Sequence, residues 1–197
     1  MTEILIALGE LLSIDVDNPA GDLPAVSVRV GGVELPLESG DDYRVWGTLT
    51  RNPQTLDSLC SSFFVRTDDD DRTEPVDAKE VAEVVARLRS AGAVVGIADG
   101  AAELELAMRI RLLPLWRANP DELATPDGFP IGTVSALTGE QHDVWSSLDE
   151  RNRVADVAVG NAVQAGSDDV EGQLPDAWND CIELVRLGAA YFDQTLS

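Results

Sequence analysis

Two kinds of apolar spacing alternate along this chain. Val26-Ser-Val-Arg-Val30 puts an apolar side chain at every second position, Gly31-Gly32 follows, and Val33-Glu-Leu-Pro-Leu37 runs back. A period of two on both sides of a glycine pair predicts a β-hairpin, because strand side chains alternate between faces and a tight turn needs positive φ. The spacing then becomes helical. Tyr43, Val45, Trp46 and Leu49 fit one helix, and Thr55, Leu56, Leu59 and Cys60 fit a short second one. A third helix is predicted from Asp77 to Ser90, with Val81, Val84, Val85 and Leu88 as its apolar stripe. Gly92 ends it, and Ala93-Val-Val-Gly-Ile97 returns as a strand. Ahead of all this, Ile4, Leu5, Leu8, Leu11 and Leu12 recur at helical spacing, which predicts a docking helix over Met1 to Asp15 within an N-terminal segment, residues 1–22.

The second half repeats the order. Met108-Arg-Ile-Arg-Leu-Leu113 reads as a strand, with Phe129 to Leu137 as its partner. Between them lies an insertion from Pro114 to Gly128, which also holds Pro120 and Pro126 and reads as a surface loop. Asp143-Val-Trp145-Ser-Ser-Leu148 echoes Arg44-Val-Trp46-Gly-Thr-Leu49, and Val154 to Val163 matches Thr55 to Phe64. Acidic loops, Asp68 to Glu74 and then Asp168, Asp169 and Glu171, precede the third helix of each half. The second of these helices carries Cys181, Ile182, Leu184 and Val185, ends at Gly188, and leads into Ala189-Ala-Tyr-Phe192. An internal repeat of this kind predicts an α+β chain of two tandem winged-helix-like units, each a small β-sheet with three helices, over residues 23–100 and 101–197. Trp46 and Trp145 are expected in the cores of the two copies.

Charge narrows the choice of partner. The chain has 36 acidic and 14 basic residues and a formal net charge of -22. A winged helix that reads DNA inserts its third helix into the major groove and neutralises phosphates with cations. Here the first of those helices balances Asp77, Glu80 and Glu83 against Lys79, Arg87 and Arg89, and the second sets Asp176, Asp180 and Glu183 against Arg186 alone. DNA binding is therefore not expected. The acidity serves either solubility or the selection of a basic partner.

The chemistry of the side chains points away from catalysis. His142 is the single histidine, which excludes a multi-histidine metal centre. Neither Gly-x-Ser-x-Gly, Gly-x-x-x-x-Gly-Lys-Ser/Thr nor Gly-x-Gly-x-x-Gly is present. The Asp68 to Asp71 run could hold a divalent ion weakly, but a solvated acidic loop is the simpler reading. Cys60 and Cys181 fall in helical apolar patterns and read as small buried hydrophobes. The expectation is a protein with no catalytic residues, no metal and no cofactor. No segment has the roughly 20 apolar residues of a membrane span, and Glu3 stands where a signal peptide would be basic, so a cytoplasmic location is expected.

The hairpin Val26–Val30 and Val33–Leu37, followed by Tyr43-Arg-Val-Trp46-Gly-Thr-Leu49, Thr55-Leu-Asp-Ser-Leu59 and Leu88-Arg-Ser-Ala-Gly92-Ala-Val-Val95, resembles a precursor-peptide recognition element. These domains are similar to the pyrroloquinoline-quinone peptide chaperone. The resemblance covers Leu23 to Ile97 and, more faintly, Met108 to Phe192. It implies a non-catalytic protein that presents a leader peptide to modifying enzymes by adding it as a strand to a sheet edge, against the third helix. Carried over by position, the edge is Val33, Leu35 and Leu37 and the helix wall is Ala82, Val85 and Arg89. Pro36 departs from that pattern by removing a ladder donor, and the tandem arrangement departs from it too. An acidic tandem winged-helix adaptor, similar to segregation-complex subunits, is the alternative partner reading. A nucleic-acid mimic is a third.

Overall fold

Five consecutive apolar residues, Ile4 to Leu8, open the fold as a strand and not as the expected N-terminal helix. In the computed structural model β1 (Glu3–Ala7) lies in the middle of a sheet, with β5 (Gln54–Thr55) on one side and β8 (Val94–Ala98) on the other. Leu5, Ile6, Ala7 and Leu8 are all buried. A central strand is covered on both faces, so its sequence is continuously apolar and mimics a helical stripe by coincidence. Gly9, at φ 87°, then turns the chain into β2 (Glu10–Asp15), where the predicted helix would have continued.

The structure describes residues 3–15, 25–66, 73–98, 104–114, 129–131, 135–137, 141, 144–146, 148 and 153–194. Helices and small antiparallel sheets make an α+β chain that divides into two units, Met1–Asp99 and Gly100–Ser197. In the first unit β3 (Ala25–Val30) and β4 (Val33–Leu37) form the predicted hairpin, closed by Gly31 and Gly32 at φ 55° and 86°. Two positive φ values in a two-residue loop match the right-handed twist of the flanking strands. β2 joins the open side of β3, giving the sheet β2-β3-β4.

Helix α1 (Gly40–Leu49) starts in a reciprocal cap: Ser39 Oγ accepts from Asp42 N–H, and Asp42 Oδ2 accepts from Ser39 N–H at 3.0 Å. The buried Asp42 also accepts from Arg87 Nε at 3.0 Å and Arg87 Nη2 at 2.6 Å, tying α1 to α3 (Ala78–Ser90). The hydrogen bond to Asp42 raises the Arg87 pKa above its ordinary value. On α1, Trp46 is buried and its Nε1 donates to Leu8 O at 3.0 Å, which fixes the helix to the end of β1. The short α2 (Leu56–Ser62) is capped by Thr55, whose side chain accepts from Ser58 N–H. Between α2 and α3 the chain forms a small hairpin, β6 (Phe64–Arg66) with β7 (Thr73–Pro75), so Thr73 and Glu74 belong to a strand and not to the predicted acidic loop. Asp68 to Asp71 lie outside the described residues.

In the second unit α4 (Leu104–Arg109) takes in Met108 and Arg109, and the strand that follows is β9 (Ile110–Pro114). Its partner is β12 (Ala190–Gln194), not the expected Phe129–Leu137. That stretch pairs within itself, β10 (Phe129–Ile131) against β11 (Ser135–Leu137). A helical turn at 144–146 carries Trp145, then come α5 (Val154–Ala165), a 3-10 turn (Glu171–Gln173) and α6 (Leu174–Arg186). Trp145 is only half-buried, but its Nε1 donates to Ala189 O at 3.0 Å, at the start of β12.

The pairing around β1 in the first unit recurs around β9 in the second. Ile4 pairs with Ile97 on one side and Thr55 on the other; Arg111 pairs with Asp193 on one side and Arg153 on the other. Thr55 and Arg153 are the N-cap residues of α2 and α5. Helices α3 and α6 both have 13 residues and end in the same bonds: Ala93 N–H to Leu88 O and Ala189 N–H to Leu184 O, each at 2.9 Å. This six-to-one closure needs a left-handed residue just before it, supplied by Gly92 and Gly188 at φ 79° and 69°.

Candidate functional site

An open strand edge offers unpaired main-chain groups to another chain, and most edges in the first unit are blunted against that. On β2 the register shifts between Leu11 and Ser13, and β4 carries Pro36 and the exposed Glu34. Two residues are all that β5 has. In contrast β8, Val94-Val-Gly-Ile-Ala98, has no charge, proline or bulge and, among the described residues, pairs along its full length with β1 alone. Leu8 N–H donates to Ala93 O at 2.9 Å, and antiparallel pairs alternate between bonded and unbonded. Ile6–Val95 and Ile4–Ile97 are therefore the bonded pairs, and the main-chain groups of Val94, Gly96 and Ala98 point away from β1.

Helix α3 packs on β8, α1 and α2. Its buried stripe, Val81, Val84, Val85 and Leu88, is the one the apolar spacing predicts. Beside that stripe Ala82 is half-buried and Ala86 exposed, leaving a shallow, small-residue surface. At Gly96 an added Cβ would come within 2.4 Å of Glu3 and Arg89 side-chain atoms, so these two lie directly over the glycine. They form an ion pair whose side chains are 46% and 37% exposed, a strength of at most about 1 kcal/mol in water.

The same place in the second unit is filled. Because α3 and α6 match in length and closure, Ala82 corresponds to Trp178, Val85 to Cys181, Arg89 to Val185 and Gly96 to Phe192. Trp178, Cys181, Val185 and Phe192 are all buried, and the Trp178 and Phe192 rings lie 6.0 Å apart at 50°. The Trp178 Nε1 is buried without a hydrogen-bond partner. Burial pushes the Cys181 thiol well above the ordinary thiol range, with Asp180 adding to the shift. Cys60, only half-buried, is raised as well, mainly by burial and then by Asp57.

Of the residues the resemblance implies, Val85 lies in the core, Arg89 lies over Gly96 of β8, and Ala82 is half-buried on α3. Val33, Leu35 and Leu37 line β4, in a different sheet: Val33 is 59% exposed, Leu35 half-buried and Leu37 buried. Glu3 and Gly96 carried no signal in the linear pattern, because a strand predicted as a helix hid the pairing that joins them. His142 lies outside the described residues. Among the described residues no group of three or more His, Cys, Asp or Glu could hold a metal ion, and no helix is long and apolar enough to cross a membrane. No family model, curated protein or solved structure matches the chain.

Proposed function

We propose that this chain is a non-catalytic peptide-binding protein of two winged-helix-like units, and that its first unit takes an extended segment by strand addition. The edge is β8, beside α3. One observation carries this: β8 is the only full-length edge of the first unit's described sheets with no bulge, proline or charge, and a helix with a shallow small-residue surface lies next to it. Main-chain bonds along such an edge supply affinity, and alternate side chains supply selectivity. The winged-helix reading is supported by the order of elements, with a strand before the second helix and another after the third, both paired to one central strand. The leader segment of a precursor peptide is the partner class the sequence resemblance implies, with the helix wall kept at Ala82, Val85 and Arg89 and the edge moved from β4 to β8.

Random peptides displayed on phage and panned against the full chain, then resynthesised and titrated, test this reading. Gly96→Pro removes an outward N–H and spares the β1 ladder, so it should weaken binding by about tenfold or more, the loss of roughly one main-chain hydrogen bond. Glu34→Pro, which removes an outward N–H of β4 because Glu34 lies between the bonded pairs Val30–Val33 and Val28–Leu35, should leave binding intact. Loss in Glu34→Pro with retention in Gly96→Pro returns the site to β4, and insensitivity to both rejects strand addition. The net charge of -22 supports a second reading, an assembly adaptor for a large basic protein. In that case affinity falls steeply with salt and ignores both edge substitutions.

A further inference from the structure

An edge-strand glycine exposes its own backbone and leaves room above it, and an aromatic residue on the neighbouring strand can fold over that room. In the second unit the chain fills this space itself: Phe192 stands at the position of Gly96 and packs on Trp178, at the position of Ala82. In the first unit the same two positions are held by Gly96 and Ala82, and the exposed Glu3–Arg89 pair lies over Gly96. We infer that the first unit receives one aromatic side chain of a basic, extended peptide at Gly96, and that the second unit, closed by Phe192 and Trp178, takes none. This rests on strand addition at β8 and adds what the added strand must carry.

The geometry explains why the first unit tolerates an ion pair there. An exposed pair costs little to open, so an incoming ring can displace Glu3 from Arg89. The freed Arg89 guanidinium can then stack on the ring face, a contact that Val185 could not make in the second unit. Strand residues directly opposite one another share a face at about 5 Å, so the ring comes from the peptide residue opposite Gly96. Lys or Arg elsewhere in the segment is favoured by the protein's net charge of -22.

The test uses the full chain and two blocked peptides of about ten residues, long enough to span the edge. Both alternate Thr and Val with Lys at each end; one has a central Phe, the other Ala. The Phe peptide should bind at least about tenfold more tightly, the ratio expected from burying and stacking one ring. It should bind one per chain, shifting the Gly96 amide and the Ala82 methyl resonances. Ala82→Trp, which copies the second unit at a half-buried position, should bring the ratio close to one. If Ala82→Trp keeps the ratio, or if two Phe peptides bind per chain, the inference is overturned. Should both peptides bind equally and both be lost with Gly96→Pro, strand addition survives and the aromatic preference does not. Absence of binding by either peptide, with the fold confirmed by circular dichroism, removes both.

Discussion

Gly96 and Phe192 occupy one register position in two sheets, Gly96 opposite Leu5 and Phe192 opposite Leu112. The consequences of changing them should differ sharply. Phe192 is 1% exposed and packs on Trp178, so Phe192→Ala removes a core ring and should cost about 3–5 kcal/mol. The nearest atoms an alanine at Gly96 meets are the ends of the Glu3 and Arg89 side chains, which can swing into solvent. Its cost should stay within about 0.5 kcal/mol. Urea unfolding of both variants measures the difference, and a large loss in Gly96→Ala would mean the Glu3–Arg89 pair is held rigidly.

The indole nitrogens give a second comparison. Trp46 Nε1 donates to the buried Leu8 carbonyl, and Trp178 Nε1 is buried with no partner. Replacing Trp by Phe removes similar apolar volume at each site. At Trp46 it also strands a carbonyl, while at Trp178 it relieves an unpaired donor. Trp46→Phe should therefore be the more destabilising of the two by about 1–3 kcal/mol in urea titrations. Equal losses would show that the Trp178 N–H finds water.

How much of this could be read from the linear pattern depends on the range of the forces involved. Local signals were sufficient for α3, whose cap at Asp77, apolar stripe and terminating Gly92 all lie within 16 residues of chain. They were sufficient for the β3–β4 hairpin, where the glycine pair is itself the turn. They failed at Ile4 to Leu8, where burial on both faces erases the period that separates strand from helix. That error concealed β1, and with it the fact that β8 pairs with the start of the chain. They failed again at Ile110–Pro114, whose partner is 76 or more residues away at Ala190–Gln194. The candidate site suffered accordingly. Ala82, Val85 and Arg89 lie on α3, a helix the local spacing predicts, but Gly96 and Glu3 gain meaning only from a long-range pairing.

The thiols should report the unequal burial of the two third-helix regions. Burial favours the neutral thiol, so the native state holds these protons more tightly than the unfolded chain does. The associated stability is fully present below the ordinary thiol pKa of 9.0 and is lost as pH rises beyond it. Urea midpoints should thus fall above about pH 9, and less so in Cys181→Ala after correction for its lost packing. At pH 8 a thiol reagent should modify Cys60 slowly and Cys181 only on unfolding, since the reactive species is the thiolate. Rapid labelling of Cys181 in the native protein would contradict its burial.

Arg111 and Asp193 invite the last comparison, because the first unit places Ile4 and Ile97 at the same crossing. The ion pair spans 3.0 Å, with side chains 19% and 11% exposed. Desolvating two charges consumes most of what their attraction supplies, so a buried pair is often no better than an apolar one of similar size. Removing one partner is different, because the survivor stays buried and loses its ion-pair counter-charge. Arg111→Ile alone should cost about 3–5 kcal/mol, while the double variant Arg111→Ile with Asp193→Ile should fall within about 1 kcal/mol of the parent or exceed it. A double-mutant cycle by urea unfolding gives the coupling between them. If the double variant is as unstable as the single one, the pair serves contacts beyond its own charges, and the second unit's sheet could not be rebuilt on the pattern of the first.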